Sequence, residues 1–91
     1  MKFIFVAYDI KDDKKRTNLY KKLMYYGLVH VQYSAFKGYI LDKDLHALID
    51  FIKTLEIGEG EKVHIVVLCQ RCQGDIIIFG KDPELRAHLI I

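Results

Sequence analysis

The pattern of hydrophobic positions alternates between a two-residue and a helical period, and it predicts a strand and then a helix at the start of the chain. Residues 2–10 are almost entirely apolar or aromatic, as expected of a central strand that is buried on both sides. Asp12 or Asp13 can cap a following helix, and Gly27 supplies its end. One apolar stripe of this helix consists of Leu19, Tyr20, Leu23 and Met24.

The same alternation continues to residue 79. Residues 28–36 predict a second strand, Lys37 and Gly38 a turn or bulge, and residues 39–41 a short third strand that completes a hairpin. The remaining predicted elements are a helix from Asp42 or Asp44 to about Leu55, strands over 62–69 and 75–79, and a tail over 80–91.

The predicted order of strands and helices indicates a single α/β (α+β) domain over residues 1–91. With right-handed crossovers it folds most simply as a ferredoxin-like βαββαβ sandwich, in which both helices cover one face of a four-stranded antiparallel sheet. The core takes in about residues 1–79, with 75–79 as an extra C-terminal strand. Residues 2–10 and 63–68 are apolar on both sides, so we expect a second copy to cover the other face of the sheet. The sequence therefore predicts a homodimer.

Composition excludes several classes of protein. The 91 residues are 52% hydrophobic and carry a net charge of +2, which indicates one small domain with more apolar surface than its own core needs. Asp9 interrupts the apolar start, which lacks the length of a membrane span and the cleavage site of a signal peptide, so we expect a cytoplasmic protein without membrane association. Cys69 and Cys72 form one CxxC, too few ligands for a structural zinc, and favour a turn between strands.

The charge is unevenly distributed along the chain. Residues 1–30 hold seven cations and three anions, whereas the remaining residues hold seven cations and nine anions. A cationic ridge of this kind attracts polyanions, nucleic acid above all, and a solvated helix face produces the same pattern.

Asp9 is the strongest candidate for chemistry, because it ends the first predicted strand at the rim of the sheet. Mg²⁺ takes oxygen ligands and often needs only one or two protein carboxylates together with waters and substrate phosphates. A metal here would lower the pKa of a bound water and neutralise charge on a phosphodiester, and a dimer would bring two such carboxylates together. The alternative is that Asp9 only accepts backbone hydrogen bonds at the start of a loop.

Aromatic residues near the predicted strand and helix ends have two interpretations. They could stack on nucleic-acid bases, or they could belong to the core or to a dimer contact. These residues are Tyr25, Tyr26, Tyr33, Phe36 and Tyr39.

Several of these segments together resemble the CRISPR-associated Cas2 family. The resemblance rests on Val6-Ala7-Tyr8-Asp9-Ile10-Lys11-Asp12-Asp13, Arg16, Tyr26-Gly27-Leu28, Val31-Gln32-Tyr33-Ser34-Ala35-Phe36 and Leu68-Cys69-Gln70-Arg71-Cys72. That family has a strand ending in Y-D-I/V, a D-D pair, a basic helix start, a Y-G helix stop and V-Q-x-S-V-F, in this order. The match is collinear to about Phe79.

The resemblance implies a function and a set of site residues. It implies a ferredoxin-like homodimer that binds double-stranded DNA with the Cas1 integrase during spacer acquisition, and a metal-dependent endonuclease that acts on DNA or single-stranded RNA. Asp9 then matches the catalytic residue and ligand of Mg²⁺ or Mn²⁺, and Ser34 and Phe36 match positions near the site. The nucleic-acid-binding candidates are Lys11, Lys14, Lys15, Arg16, Lys21 and Lys22.

Two other functions fit the same residues. Some members of this family are scaffolds without a required nuclease activity, so the protein could bind DNA in the same complex without cleaving it. A VapD-like toxin ribonuclease is similar in fold and motif.

Overall fold

The computed structural model describes residues 1–68, which form an antiparallel sheet covered by two helices. The sheet has the strand order β2-β3-β1-β4, and each neighbouring pair is antiparallel. This arrangement confirms the predicted ferredoxin-like fold. The elements are β1 Lys2–Asp9, α1 Asp13–Tyr25, β2 Val29–Gln32, β3 Ala35–Ile40, α2 Asp42–Thr54 and β4 Lys62–Leu68. The predicted strand 75–79, the tail 80–91, Cys69 and Cys72 lie outside the described residues.

The core lies between the two helices and one face of the sheet. Alternate residues of β1, which include Ile4 and Val6, are fully buried against this side, as the two-residue period requires. The helices contribute Leu19 and Leu23 from α1 and Leu48 from α2, all with no exposed surface. Each fully buried side chain of this size contributes about 1.5–3 kcal/mol to folding relative to an exposed one. The central position of β1 in the sheet therefore follows from its apolar composition.

The ends of α1 agree with the sequence prediction. The Asp12 side chain accepts a hydrogen bond from the Lys15 backbone N–H at 2.9 Å and caps the first turn. At the other end Gly27 has a φ of +81°, a conformation that glycine adopts without strain. The Leu28 N–H then donates to the Leu23 carbonyl at 3.2 Å, which closes the last turn.

The predicted position of the hairpin turn is wrong. The two strands are joined by Tyr33 and Ser34, whereas Lys37 and Gly38 lie inside β3. Gly38 serves close packing there, because a Cβ at this position would lie 3.0 Å from the Leu28 side chain. A lysine and glycine in sequence favour a turn, but the approach of Leu28 to the strand is what requires the glycine.

The face of the sheet opposite the helices is also rich in apolar groups. Phe3 lies on it and meets the Tyr39 ring edge-on at a centroid distance of 5.1 Å. Tyr39 and Val66 remain 42% and 47% exposed on this side. Lys37 lies opposite Phe5 in the register, and only 2% of it is exposed. We call this surface the open sheet face. Neither described helix is long and apolar enough to cross a membrane.

Candidate active site

Asp9 opens onto a cleft at the carboxyl end of β1. The cleft has a volume of about 490 Å³. Within residues 1–68 the Asp9 carboxylate is exposed to solvent and makes no hydrogen bond or ion pair. Its oxygens are therefore available to a ligand. The residues that line the cleft are Tyr8, Asp9, Ile10, Arg16, Tyr33 and Ser34.

The β2–β3 turn reaches this cleft because it is bonded to the end of β1. The Tyr8 backbone N–H donates to the Ser34 carbonyl at 3.0 Å, one residue beyond the last β1–β3 pair, Ala7 with Ala35. This bond holds Ser34 beside Asp9 and places Tyr33 at the rim. On the other side of β1, Lys62 of β4 is the register partner of Asp9. A lysine therefore lies beside the aspartate on the neighbouring strand.

Arg16 forms the helical wall of the cleft. Its guanidinium donates to the Ile10 carbonyl at 3.0 Å and pairs with the Asp13 carboxylate. These bonds hold the Arg16 guanidinium, a planar and permanently charged group, at the backbone of Ile10, the residue that follows Asp9. Asp12 caps α1 and Asp13 is paired with Arg16, so both carboxylates are already engaged, unlike that of Asp9.

Glu61 holds the loop that follows Asp9, and the sequence contains no signal for it. Its carboxylate accepts hydrogen bonds from the backbone N–H groups of Lys11 at 2.8 Å, Asp12 at 3.0 Å and Gly58 at 3.0 Å. The Lys15 ammonium lies 3.9 Å from it. The backbone bonds, that from Asp12 first, lower the pKa of Glu61 to about 2. We call Glu61 and these bonded groups the Glu61 clamp.

The six candidate cations do not form one surface. Lys14 and Lys21 are exposed and, being two turns apart, lie on the same outward side of α1. Lys15 and Lys22 turn toward α2 instead. The Lys15 ammonium donates to the Glu56 carbonyl at 2.7 Å, and the Lys22 ammonium lies 5.2 Å from the Phe51 ring centroid.

The two remaining candidate cations lie near the start of α1. Lys11 is exposed in the loop before the helix, and Arg16 lines the Asp9 cleft. The structure therefore separates an outward pair on α1, Lys14 and Lys21, from Lys15 and Lys22, which contact the α2 side, and from Lys11 and Arg16 near the start of the helix.

Phe36 lies beneath the cleft. It is fully buried, and its ring stacks on Tyr8 at 6.4 Å and meets Tyr20 edge-on at 5.6 Å. Burial is the main reason that the pKa of Tyr8 is raised. Phe36 thus supports the wall formed by Tyr8, whereas Ser34 belongs to the cleft itself.

A divalent metal would find one available carboxylate in this cleft. Residues 1–68 contain no group of three or more His, Cys, Asp or Glu side chains that could hold a metal. The Asp9 oxygens are hard donors that suit Mg²⁺, which keeps several waters and completes its shell with substrate phosphate. The donor set of one chain fits such a weakly held, hydrated ion and does not form a closed metal cage.

Comparison with known proteins gives consistent matches. The family model for CRISPR associated protein Cas2 matches residues 1–76. A relative from Archaeoglobus fulgidus, named CRISPR-associated endoribonuclease Cas2 1, is 38% identical over 75 residues, which cover 82% of this chain and 80% of the relative.

Two solved structures share the fold. The crystal structure of a Cas2 protein superposes with a TM-score of 0.75 at 24% identity and covers 99% of this chain and 98% of that one. A chain of a partial Cas6-RT-Cas1–Cas2 complex has a TM-score of 0.58 at 25% identity and covers 77% of this chain and 81% of that one. The whole ferredoxin-like arrangement therefore recurs in these proteins.

Proposed function

Because the chain belongs to the CRISPR-associated Cas2 family, we propose that it acts in spacer acquisition as a dimer that binds double-stranded DNA together with a Cas1 integrase. We further propose that Asp9 gives it a metal-dependent endonuclease activity. The observation that supports the second proposal is the exposed Asp9 carboxylate, which makes no hydrogen bond or ion pair within residues 1–68 and lies in a cleft whose wall holds the Arg16 guanidinium. The name endoribonuclease among its relatives agrees with this chemistry.

The proposed dimer forms through the open sheet face. Tyr39 and Val66 are each a little under half exposed on this face. Covering such an apolar patch with a second copy lowers the free energy of the protein in water. Asp9 is an odd-numbered residue of β1, as Phe3 is, so it lies at the end of the same face. A second copy packed on this face would bring a second Asp9 toward the first and supply the further oxygen ligands that one chain lacks.

In the proposed cleavage, the Asp9 carboxylate binds the metal and the Arg16 guanidinium binds the substrate phosphate. Bound at Asp9, Mg²⁺ or Mn²⁺ would supply an activated water and neutralise charge on the phosphodiester. Asp9 would hold that ion in the cleft. Arg16 presents its remaining N–H groups to a phosphate oxygen, and its bond to the Ile10 carbonyl keeps the guanidinium in place without substrate.

Duplex binding is assigned to the outward pair, Lys14 and Lys21. Both residues are exposed and lie two turns apart on one side of α1, so they can contact phosphates of the same duplex without reading bases. A dimer doubles the number of these contacts. Association should therefore show little sequence preference and weaken steeply as salt rises.

The test of the nuclease proposal is cleavage of single-stranded RNA and duplex DNA by the wild type and by Asp9→Asn, with Mg²⁺ and with EDTA. We expect wild-type cleavage that EDTA abolishes and that Asp9→Asn lowers by at least a hundredfold. Asp50→Asn removes an exposed carboxylate from α2 and serves as the matched control with wild-type activity. Equal cleavage by wild type and Asp9→Asn would refute the assignment of Asp9.

A scaffold function is the second candidate. It is favoured by the fact that Asp9 is the one carboxylate among the described residues that line the cleft, and by the fold shared with a chain of a Cas1–Cas2 complex. A pure scaffold would support spacer integration with Cas1 equally well as wild type and as Asp9→Asn. If the nuclease activity is needed for integration, Asp9→Asn would not support spacer integration.

A further inference from the structure

Tyr33 is an exposed aromatic residue at the rim of the Asp9 cleft. Its side chain is 85% exposed and stands at the tip of the two-residue β2–β3 turn. It lines the Asp9 cleft together with Arg16 and Ser34, and it also lines an adjoining cleft of about 350 Å³ between Thr17 and Tyr20. The ring therefore lies between two concave surfaces.

The fold gives Tyr33 no role of its own. Two-residue hairpin turns favour small residues such as Asn, Asp and Gly, and an aromatic side chain gains nothing there from the turn geometry. In the described part of the chain no ring contact or hydrogen bond involves Tyr33. The aromatic rings nearby, those of Tyr8, Tyr20 and Phe36, pack on one another. Among the described residues that line the Asp9 cleft, Tyr33 has the exposed ring that packs on no other ring.

We propose that Tyr33 is the base-stacking residue of this cleft and that the cleft accepts an unpaired nucleotide. The inference rests on the proposed nucleic-acid function and adds the residue that would hold the unpaired base. An unpaired base can stack on the Tyr33 ring, while the adjoining phosphate meets the Arg16 guanidinium, which lines the same cleft as Asp9. A base within a duplex is already stacked on both sides and cannot do this.

Two surfaces of one protomer therefore take different nucleic-acid forms. The outward pair, Lys14 and Lys21, offers only ammonium groups and suits the phosphates of a duplex. The Asp9 cleft combines a ring, a guanidinium and a carboxylate and suits a single strand, or a frayed or looped segment. Tyr33 then determines which strands enter the cleft, because entry requires a free base.

The test measures binding in EDTA, where cleavage plays no part. The probes are a short single-stranded RNA and the matching single-stranded DNA, each with one 2-aminopurine, whose fluorescence falls when the base stacks. Tyr33→Leu removes the ring, and Tyr33→Phe keeps it. Tyr25→Leu is the matched control, since Tyr25 is 76% exposed on α1 and does not line the cleft.

We expect wild type and Tyr33→Phe to quench the probe, and Tyr33→Leu to lose the quenching and to bind roughly tenfold more weakly. An abasic site in place of the 2-aminopurine should weaken binding to the wild type and leave binding to Tyr33→Leu unchanged. Tyr25→Leu should behave as wild type, and duplex DNA should bind all variants equally. Quenching with both RNA and DNA, or with RNA alone, supports the inference and identifies the strand.

Retained quenching by Tyr33→Leu, or equal loss in Tyr25→Leu, would overturn the role of Tyr33. Circular dichroism and the melting temperature establish that the variants are folded. The outcome is separable from the nuclease proposal. If Asp9→Asn cleaves as wild type does while Tyr33→Leu alone loses quenching, the nuclease assignment fails and the stacking role stands.

Discussion

The Glu61 carboxylate accepts a hydrogen bond from the Lys11 backbone N–H at 2.8 Å, and the two residues lie 50 positions apart in the chain. The same oxygen accepts from the Asp12 N–H at 3.0 Å. One carboxylate thus joins the loop before β4 to the loop that directly follows Asp9. The path of the chain beyond the candidate metal ligand is set by a residue that is distant in sequence and adjacent in the fold.

The Glu61 clamp predicts that the folded state becomes less stable as pH falls. The pKa of Glu61 is lowered from 4.5 to about 2, so the folded state holds this proton less tightly than the unfolded state. The stabilisation is therefore complete above about pH 4.5 and is lost as pH falls toward 2. Glu61→Gln should lower the melting temperature at pH 7, and the gap from wild type should narrow by pH 3 and close only as pH approaches 2.

Glu59→Gln is the control for this experiment, because Glu59 is exposed and makes no hydrogen bond among residues 1–68. It should melt as wild type does at both pH values. A gap between wild type and Glu61→Gln that stays constant from pH 7 to pH 3 would contradict the ionised clamp.

The burial of Lys37 predicts that Lys37→Met is more stable than the wild type. Its ammonium is buried, no described residue accepts a hydrogen bond from it, and burial lowers its pKa from 10.5. Lys37→Met keeps the length of the side chain and removes the charge, so we expect the free energy of unfolding to rise by on the order of 1 kcal/mol. Denaturant unfolding at pH 7 measures this gain.

The sign of the pH effect gives Lys37 a second test. The unfolded state binds this proton more tightly, so wild-type stability gains from deprotonation as pH rises toward 10.5. The advantage of Lys37→Met should therefore shrink between pH 7 and pH 10. Lys43→Met, at an exposed position of α2, should show neither effect.

The outward pair predicts a change in the salt dependence of duplex binding. Lys14→Ala with Lys21→Ala should weaken binding and make the plot of log K against log salt shallower by about 0.9 for each phosphate that is no longer neutralised. Lys43→Ala with Lys53→Ala removes the same charge from α2 and should leave the slope as it is. Equal slopes for both double variants would place the DNA on another surface.

The open sheet face predicts the oligomeric state. Tyr39→Glu puts a charge at the centre of the proposed interface, where burial of an unpaired carboxylate is costly. Sedimentation at micromolar concentration should give the wild type twice the 10.7 kDa mass of one chain and give this variant one chain's mass. Tyr25→Glu, on the helix side, should remain a dimer. A monomeric wild type would refute the proposed dimer.

The features that the sequence predicts correctly depend on neighbours along the chain. The apolar period of β1, the Asp12 cap and the Gly27 stop each act within a few residues, so their patterns are visible without a structure. The predicted hairpin turn is misplaced because Lys37 and Gly38 favour a turn locally, while the packing of Leu28 against Gly38 joins the residue before β2 to the interior of β3.

The order of the elements, the fold they build and the position of Asp9 at the end of a buried strand all follow from the sequence alone, because hydrophobic period and helix capping are local. Which charges act together depends on the folded chain. Folding turns Lys15 toward Glu56, makes Glu61 the clamp of the Asp9 loop, and leaves Tyr33 exposed while Phe36 becomes core. These outcomes depend on which loops meet in space, and no spacing along the chain encodes that.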